Sequence, residues 1–478
     1  MLRDSFLSMI STGVRLISSL ALFVVLAHVW GPTTFGVFTY PYALAAILVR
    51  IVDYGFTLQI ARDVGRSPER THEIVGRAIG AKLVLLLPTL VVSAVVAMHL
   101  PKGPSYLALF VLLVLDALVG SFALFLNIPL RAHGRFDREA SISTAANLLF
   151  FGATIGAAVA GAGPVTVAAI FVLARCAFLV LALRGYVHVA GGRPRVILDR
   201  ASLTGTLTKG FPYAVHMVVG TLFLQVDTLV IQQVMGASAV GLYQGGMRLL
   251  FGALLVGDAL HNVFFASLAR VAHDPRALGK LATQMTRHFV ALGVVGFGVL
   301  LGAGHLLVNL LFSGKFASLG ELVPLFGLLV LVRYSGLAYG AVLTLAERQA
   351  VRMLAAIGVL ALNVVLDLVL IPRIGLRGAL VASAVADLTL HLVCATASWF
   401  QYRDLMIDRR SVALLLAAVA VLPTAFVVGT EPLTRALVAT ALVLSGAVIG
   451  VTGEEWASLS RRVIGRLPSR FARGLTVS

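Results

Sequence analysis

The chain has 478 residues, of which 59% are hydrophobic and 12% charged, about half the charged share (~25%) of a soluble domain. Its net charge of +17 invites a nucleic-acid partner, but the basic residues fall in short clusters between apolar runs rather than on one face, and that pattern excludes it. A mean hydropathy of +0.97 and repeated apolar runs of about 20 residues describe an all-α polytopic membrane protein.

Fourteen spans follow in chain order, at about 6–30, 36–61, 77–99, 106–130, 140–160, 164–190, 209–235, 239–266, 286–311, 319–345, 352–372, 379–401, 411–430 and 434–456. The first reads as a span and not as a cleaved signal, because Phe6 to Val29 is too long for a signal core and carries Arg15 in its middle. Cys176 and Cys394 each fall inside an apolar run, so neither a disulfide framework nor a metal cluster is expected.

The loops alternate in charge. RDVGRSPER (62–70), RAHGRFDRE (131–139), GGRPRVILDR (191–200), ARVAHDPR (269–276), RDLMIDRR (403–410) and the tail RRVIGRLPSRFARG (461–474) lie on one side, together with Arg3, Arg348 and Arg352. The opposite side has only Lys102, Lys315, Arg373, Arg377 and Arg435. The positive-inside rule then places both termini in the cytoplasm, in a multi-pass protein of the cell membrane. No loop is long enough to hold a soluble catalytic domain, and no GxxxxGK[ST] loop marks a nucleotide site. An enzyme is not expected, nor a cofactor.

An internal repeat is visible. WGPTTFGVF (30–38) matches MGASAVGLY (235–243), with Gly31 on Gly236 and Gly36 on Gly241 at an offset of 205, and the same offset carries Asp53 onto Asp258. Asn147 and Asn363 form a second echo. An even number of spans separates the copies, so both have the same orientation, an architecture of alternating-access transporters. The division is 1–200 for one six-helix bundle, 201–402 for the second, and 403–478 for two additional spans and a basic tail.

Charges inside a bilayer cost about 2.5–3.5 kcal/mol each on insertion scales, so they face water or a partner. Span one carries Ser8, Ser11, Arg15 and Ser18 on one stripe, span seven Thr221, Gln225, Thr228 and Gln232, and span eight Gln244, Arg248, Asp258 and Asn262. These stripes outline a wet central cleft. Arg15, Arg50, Arg248 and Arg333 are its candidate cations; Ser11, Ser18, Gln225 and Gln244 its candidate polar lining. Arginine suits phosphate because its planar fork donates two bonds. Arg50 and Asp53 also stand three apart and can neutralise each other. Asp227, Asp367 and Asp387 are candidate ion-coupling sites, with interhelical salt bridges to Arg175 or Arg333 as the alternative.

The order of GPTTFGVF, VDYGF followed by Arg62, KGFPYAVHMVVGTLFLQVDTLVI (209–231), GLYQGGMRL (241–249) and NVVLDLVLIPRIGLRGALVASAVAD (363–387) resembles the oligosaccharide-lipid flippase branch of the MOP exporter superfamily. The resemblance implies two six-helix bundles in a V around a cationic cavity, with two C-terminal helices added. It further implies a polyprenyl-pyrophosphate-linked oligosaccharide as substrate, moved from the inner to the outer leaflet. Membrane lipids and other polysaccharide-assembly membrane proteins are the implied partners. Drug exporters of that superfamily usually carry an acidic residue on span one, where this chain has Arg15. A cation-coupled multidrug antiporter and a membrane-embedded glycan polymerase or ligase stand as the alternatives.

Overall fold

The computed structural model describes residues 2–312, 314–346, 348–401, 408–426 and 432–450. Among the described residues fifteen α-helices run in chain order: α1 (Leu2–Asp53), α2 (Phe56–Arg66), α3 (Thr71–Met98), α4 (Pro104–Ala132), α5 (Phe136–Val159), α6 (Pro164–Ala190), α7 (Arg200–Met235), α8 (Ala237–Arg270), α9 (Pro275–Leu311), α10 (Val323–Ser335), α11 (Leu337–Leu345), α12 (Gln349–Ile374), α13 (Leu376–Gln401), α14 (Arg409–Phe426) and α15 (Pro432–Ile449). Among the described residues, eleven stretches are long and apolar enough to cross a bilayer, against the fourteen read from the sequence. Two causes account for the difference. Spans one and two are joined in α1, and spans thirteen and fourteen, in α14 and α15, run partly outside the described residues. The basic tail lies outside the described residues.

Helix α1 has 52 residues, which as a straight rod would reach roughly 78 Å, far more than the ~30 Å of a hydrocarbon core. It does not run straight. Gly31 has φ 75° and ψ 174°, and the chain folds back on itself there. The Phe23 ring meets Phe35 at 6.4 Å and Tyr42 at 5.1 Å, although a continuous helix would separate Phe23 from Tyr42 by roughly 28 Å. Glycine is needed at this φ because a Cβ is strained there.

The partner of this turn is Gly236, between α7 and α8, with φ 82° and ψ −175°. Two glycines at an offset of 205 thus adopt the same backbone conformation, as duplicated segments must. The two turns also touch reciprocally. A Cβ on Gly36 would overlap the carbonyl oxygen of Ala237, and a Cβ on Gly241 would overlap that of Pro32. Since 237 and 241 are 32 and 36 displaced by 205, the contact is isologous about a local two-fold axis.

Span two ends earlier than its hydrophobicity suggests. Tyr54 (φ 44°) and Gly55 (φ 73°) break the helix, and Tyr213 on α7 fills the space a side chain at position 55 would need. The following α2 is amphipathic, burying Phe56, Ile60 and Val64 in a cluster with Val75 and Ala78 of α3 and Phe178 and Tyr186 of α6.

Packing divides the chain into two compact units. The first contains 1–252, 306–322 and 356–383; the second contains 253–305, 323–355 and the residues from 384 onward. In the second unit, α15 seats against α9 through small residues. Gly298 and Gly302 of α9 face Ala439, and Gly446 of α15 faces the Ala291 carbonyl. Small residues four apart let helices approach closely where lipid supplies no hydrophobic drive between them. Leu414 and Ala418 of α14 complete this core with Phe297 and Leu301.

The reciprocal glycine contact makes a prediction. Gly36→Val and Gly241→Val should destabilise the protein by similar amounts, about 1–3 kcal/mol each as overpacking does. The double variant should cost less than the sum, because either change alone already forces the turns apart. Thermal unfolding in detergent checks both points; strict additivity would mean the two glycines serve separate contacts.

Candidate functional site

The first unit contains a cavity of about 310 Å³ walled by α1, α4, α5 and α6. Helix α1 contributes Arg15, Ser19, Phe23 and Tyr42 from both arms of its hairpin; α5 contributes Ser143, Asn147 and Phe150; α6 contributes Phe171 and Arg175. Three arginines gather in this neighbourhood, each held differently.

Arg15 is exposed on the cavity side of α1. Arg175 crosses from α6 to α4, where its Nε donates to Asp116 Oδ1 at 3.1 Å. Its guanidinium carbon also lies 4.6 Å from the centroid of Phe150. Gly120, one turn beyond Asp116, leaves room for the arginine stem. Arg248 of α8 lies over Phe23, 4.1 Å from the ring centroid, and Nη2 donates to Gln244 Oε1 at 3.0 Å. Its Nε has no acceptor, and among the described residues no carboxylate pairs with it. A guanidinium on an aromatic face is stabilised by about 0.5–2 kcal/mol without losing its charge. The neighbourhood therefore holds one neutralised arginine and two that keep their charge, against aromatic walls.

Other residues read from the sequence are placed as follows. Ser19 lines the cavity; Ser18 beside it is half-buried and does not, and the Ser11 side chain lies outside the described residues. Gln244 is not lining. It is buried, donating Nε2 to Thr228 Oγ1 at 2.7 Å and accepting from Arg248, so it fixes the arginine against α7. Gln225 is half-buried on α7. Arg50 donates to Asp53 at 3.1 Å, and Asp53 is reached also by Lys82 Nζ at 3.2 Å and by the Ser121 hydroxyl. Lys82, almost fully buried on α3, was not singled out from the sequence, although a second cation near Asp53 is what leaves this cluster with a surplus positive charge.

In the second unit Arg333 does not serve as a free cavity cation and Asp387 does not serve as a free carboxylate, because Arg333 Nε donates to Asp387 at 2.8 Å. This pair joins the fourth and sixth helical positions of the second repeat, as Asp116 and Arg175 join the fourth and sixth positions of the first. The polarity is reversed between them.

A different polar centre lies in the first unit, among α7, α8, α12 and α13. Asp227 accepts from Asn363 Nδ2 at 2.7 Å, from Ser383 Oγ at 2.6 Å and from the Tyr243 hydroxyl. Asn363 also donates to Asp367 at 3.1 Å, and Asp367 Oδ1 is buried with no partner. Among the described residues no cation pairs with either aspartate.

Apolar helices long enough to cross a bilayer, with two glycine turns of like conformation at an offset of 205, define a multi-pass membrane protein. The chain spans 98% of its length in similarity to the lipid II flippase MurJ in an inward closed conformation, covering 100% of that structure with a TM-score of 0.67 at 13% identity. It is similar to an inward-facing MATE multidrug-resistance transporter over 82% of this chain and 95% of that one, with a TM-score of 0.66 at 14% identity. A MOP superfamily transporter from Pyrococcus furiosus matches over 84% of this chain and 95% of that one, with a TM-score of 0.59 at 15% identity. At such identities the likeness is one of fold, and each of these structures is a flippase or transporter, none an enzyme.

The model of the polysaccharide biosynthesis protein family matches residues 1–256, and the chain belongs to that family. The amylovoran biosynthesis protein AmsL of Erwinia amylovora is 27% identical over 154 residues, 31% of this chain and 39% of that protein. The alignment thus spans well under half of that relative.

The reversed ion pairs generate the second prediction. Arg175→Ala or Asp116→Ala alone should cost about 3–5 kcal/mol by leaving a buried partner uncompensated. The exchange Asp116→Arg with Arg175→Asp should recover most of it, since the other repeat already uses that polarity. Yield and melting temperature of purified protein test this; an exchange as damaging as either single change would show that the two pairs are not equivalent.

Proposed function

We propose that this protein is a flippase that carries a polyprenyl-pyrophosphate-linked oligosaccharide from the inner to the outer leaflet of the cytoplasmic membrane by alternating access, with both termini cytoplasmic. The observation that carries the reading is the aromatic cavity of the first unit with Arg15 on its wall and Arg248 behind Phe23, two guanidinium groups with no carboxylate partner among the described residues. A pyrophosphate brings the complementary charge, and guanidinium forks match its oxygens. The low dielectric around the site strengthens that attraction relative to water. Ser19, Ser143 and Asn147 offer hydrogen bonds in place of water, while the polyprenyl tail stays in lipid. Family membership in polysaccharide biosynthesis and the flippase fold support the same substrate class. A cationic drug would be repelled by this cavity, which disfavours multidrug antiport.

Energy input is assigned to the Asp227–Asp367 centre. Two carboxylates bridged by one asparagine, with no arginine or lysine partner among the described residues, are an arrangement suited to sharing a proton or a small cation. Release of that ion on the opposite side would bias the two states. Asp387, occupied by Arg333, is left out of this role.

Arg15→Ala and Arg248→Ala should insert and fold but abolish surface-glycan export, with lipid-linked glycan accumulating on the cytoplasmic leaflet of a deletion strain carrying either variant. Wild-type export by both would remove the cavity from the mechanism. Asp367→Asn should keep substrate binding yet make transport in proteoliposomes insensitive to imposed sodium or proton gradients. A variant that still responds to one of them would refute the coupling assignment.

A further inference from the structure

A second cavity, of about 490 Å³, lies wholly within the second unit, in the half of α8 that leads to the basic loop at Arg270. Its volume is within the range of about 300–1,000 Å³ typical of small-ligand sites. Asp258, Asn262 and Phe265 come from one face of α8 at helical spacing, with His261 beside them; His391 comes from α13 and Arg352 from α12. The facing wall is made small by Gly336, Gly340 and Ala341. Gly336 in particular has no room for a side chain, because the His391 ring fills that space.

The repeat explains why these groups are available. In the first copy Asp53 is held by Arg50 and Lys82. At the offset of 205 Asp53 becomes Asp258, but Arg50 becomes Leu255 and Lys82 becomes Arg287, and Arg287 pairs with Asp408 instead. Asp258 has thereby lost both partners and stands exposed in the cavity. His261 Nδ1 and His391 Nε2 are likewise buried polar atoms without a hydrogen bond. Among the described residues no group of three His, Cys, Asp or Glu side chains is arranged to hold a metal ion. One carboxylate against one guanidinium gives no net charge with neutral imidazoles, so the cavity is not built for an anion either.

Planar side chains that both donate and accept, set beside an aromatic ring and carrying no net charge, match the hydroxyl groups and apolar face of a pyranose. We infer that this cavity is a glycan subsite, which binds uncharged sugar residues of the substrate while the pyrophosphate is bound elsewhere. The inference rests on the flippase reading and adds a second determinant to it. Asp258 and Asn262 would bond sugar hydroxyls, the histidine nitrogens would complete them, and Phe265 would lie against a ring face.

Two probes separate this claim from the one it rests on: the lipid-linked glycan extracted from cells lacking the gene, and bare undecaprenyl pyrophosphate, each titrated against the full-length protein in nanodiscs. Wild type should bind the glycosylated lipid more tightly. Asn262→Ala and Asp258→Ala should each weaken it about tenfold, as loss of a hydrogen bond to a ligand does, and leave bare undecaprenyl pyrophosphate unchanged. Gly340→Leu should do the same by filling the cavity, since a Cβ there meets only Arg352 at 3.8 Å. Arg248→Ala should weaken both lipids. Equal wild-type affinity for the two lipids, or variants that weaken both or neither, would overturn the glycan subsite while leaving the flippase reading standing. Failure of wild type to bind either lipid would overturn both.

Discussion

A guanidinium buried in hydrocarbon costs about 2.5–3.5 kcal/mol on insertion scales, and the interior of this protein is organised by how each arginine meets that cost. Arg175 and Arg333 meet it with an aspartate on another helix. Arg50 does so with an aspartate one turn away that it shares with Lys82. Arg248 lies on an aromatic ring and bonds a glutamine, which stabilises the group without cancelling its charge. Arg15 lies exposed on a cavity wall. The first two solutions build a bundle; the last two leave positive potential for something else to use.

Two turns at an offset of 205 share one backbone conformation, and the solutions differ around them. The glycine turns at Gly31 and Gly236 kept the same φ and ψ, because a reversal between packed helices tolerates few alternatives. The ion pair between the fourth and sixth helices kept its place but exchanged its signs, as a pair can when only the sum of charges matters. The aspartate at 53 and 258 kept its identity and lost its partners in the second copy. Each outcome marks a different constraint: backbone conformation at the turn, charge balance at the pair, and neither at Asp258.

Much of the fold was legible before any coordinates. Apolar runs located the helices, the offset of 205 paired two glycines that adopt one backbone conformation, and Gly31 marked the turn that converts 52 helical residues into a hairpin. Helical periodicity was less informative about the site. It shows which residues share a face, but not which helix that face meets. Gln244 shares the stripe of Arg248 yet is turned to Thr228, and Arg333 could be read either as a cavity cation or as a salt-bridge partner, because Asp387 lies 54 residues away in sequence. Lys82 was hidden among apolar neighbours, its partner Asp53 being on a different helix. The close approach of Tyr213 to Gly55 is a contact that no local pattern announces.

The reciprocal seating of Gly36 on Ala237 and Gly241 on Pro32 has a mechanical corollary. Main chain rests on main chain at these two positions. The pairing therefore has a single register, because sliding either turn by one residue would drive a Cβ into the opposite carbonyl. Symmetry makes each turn the gauge for the other.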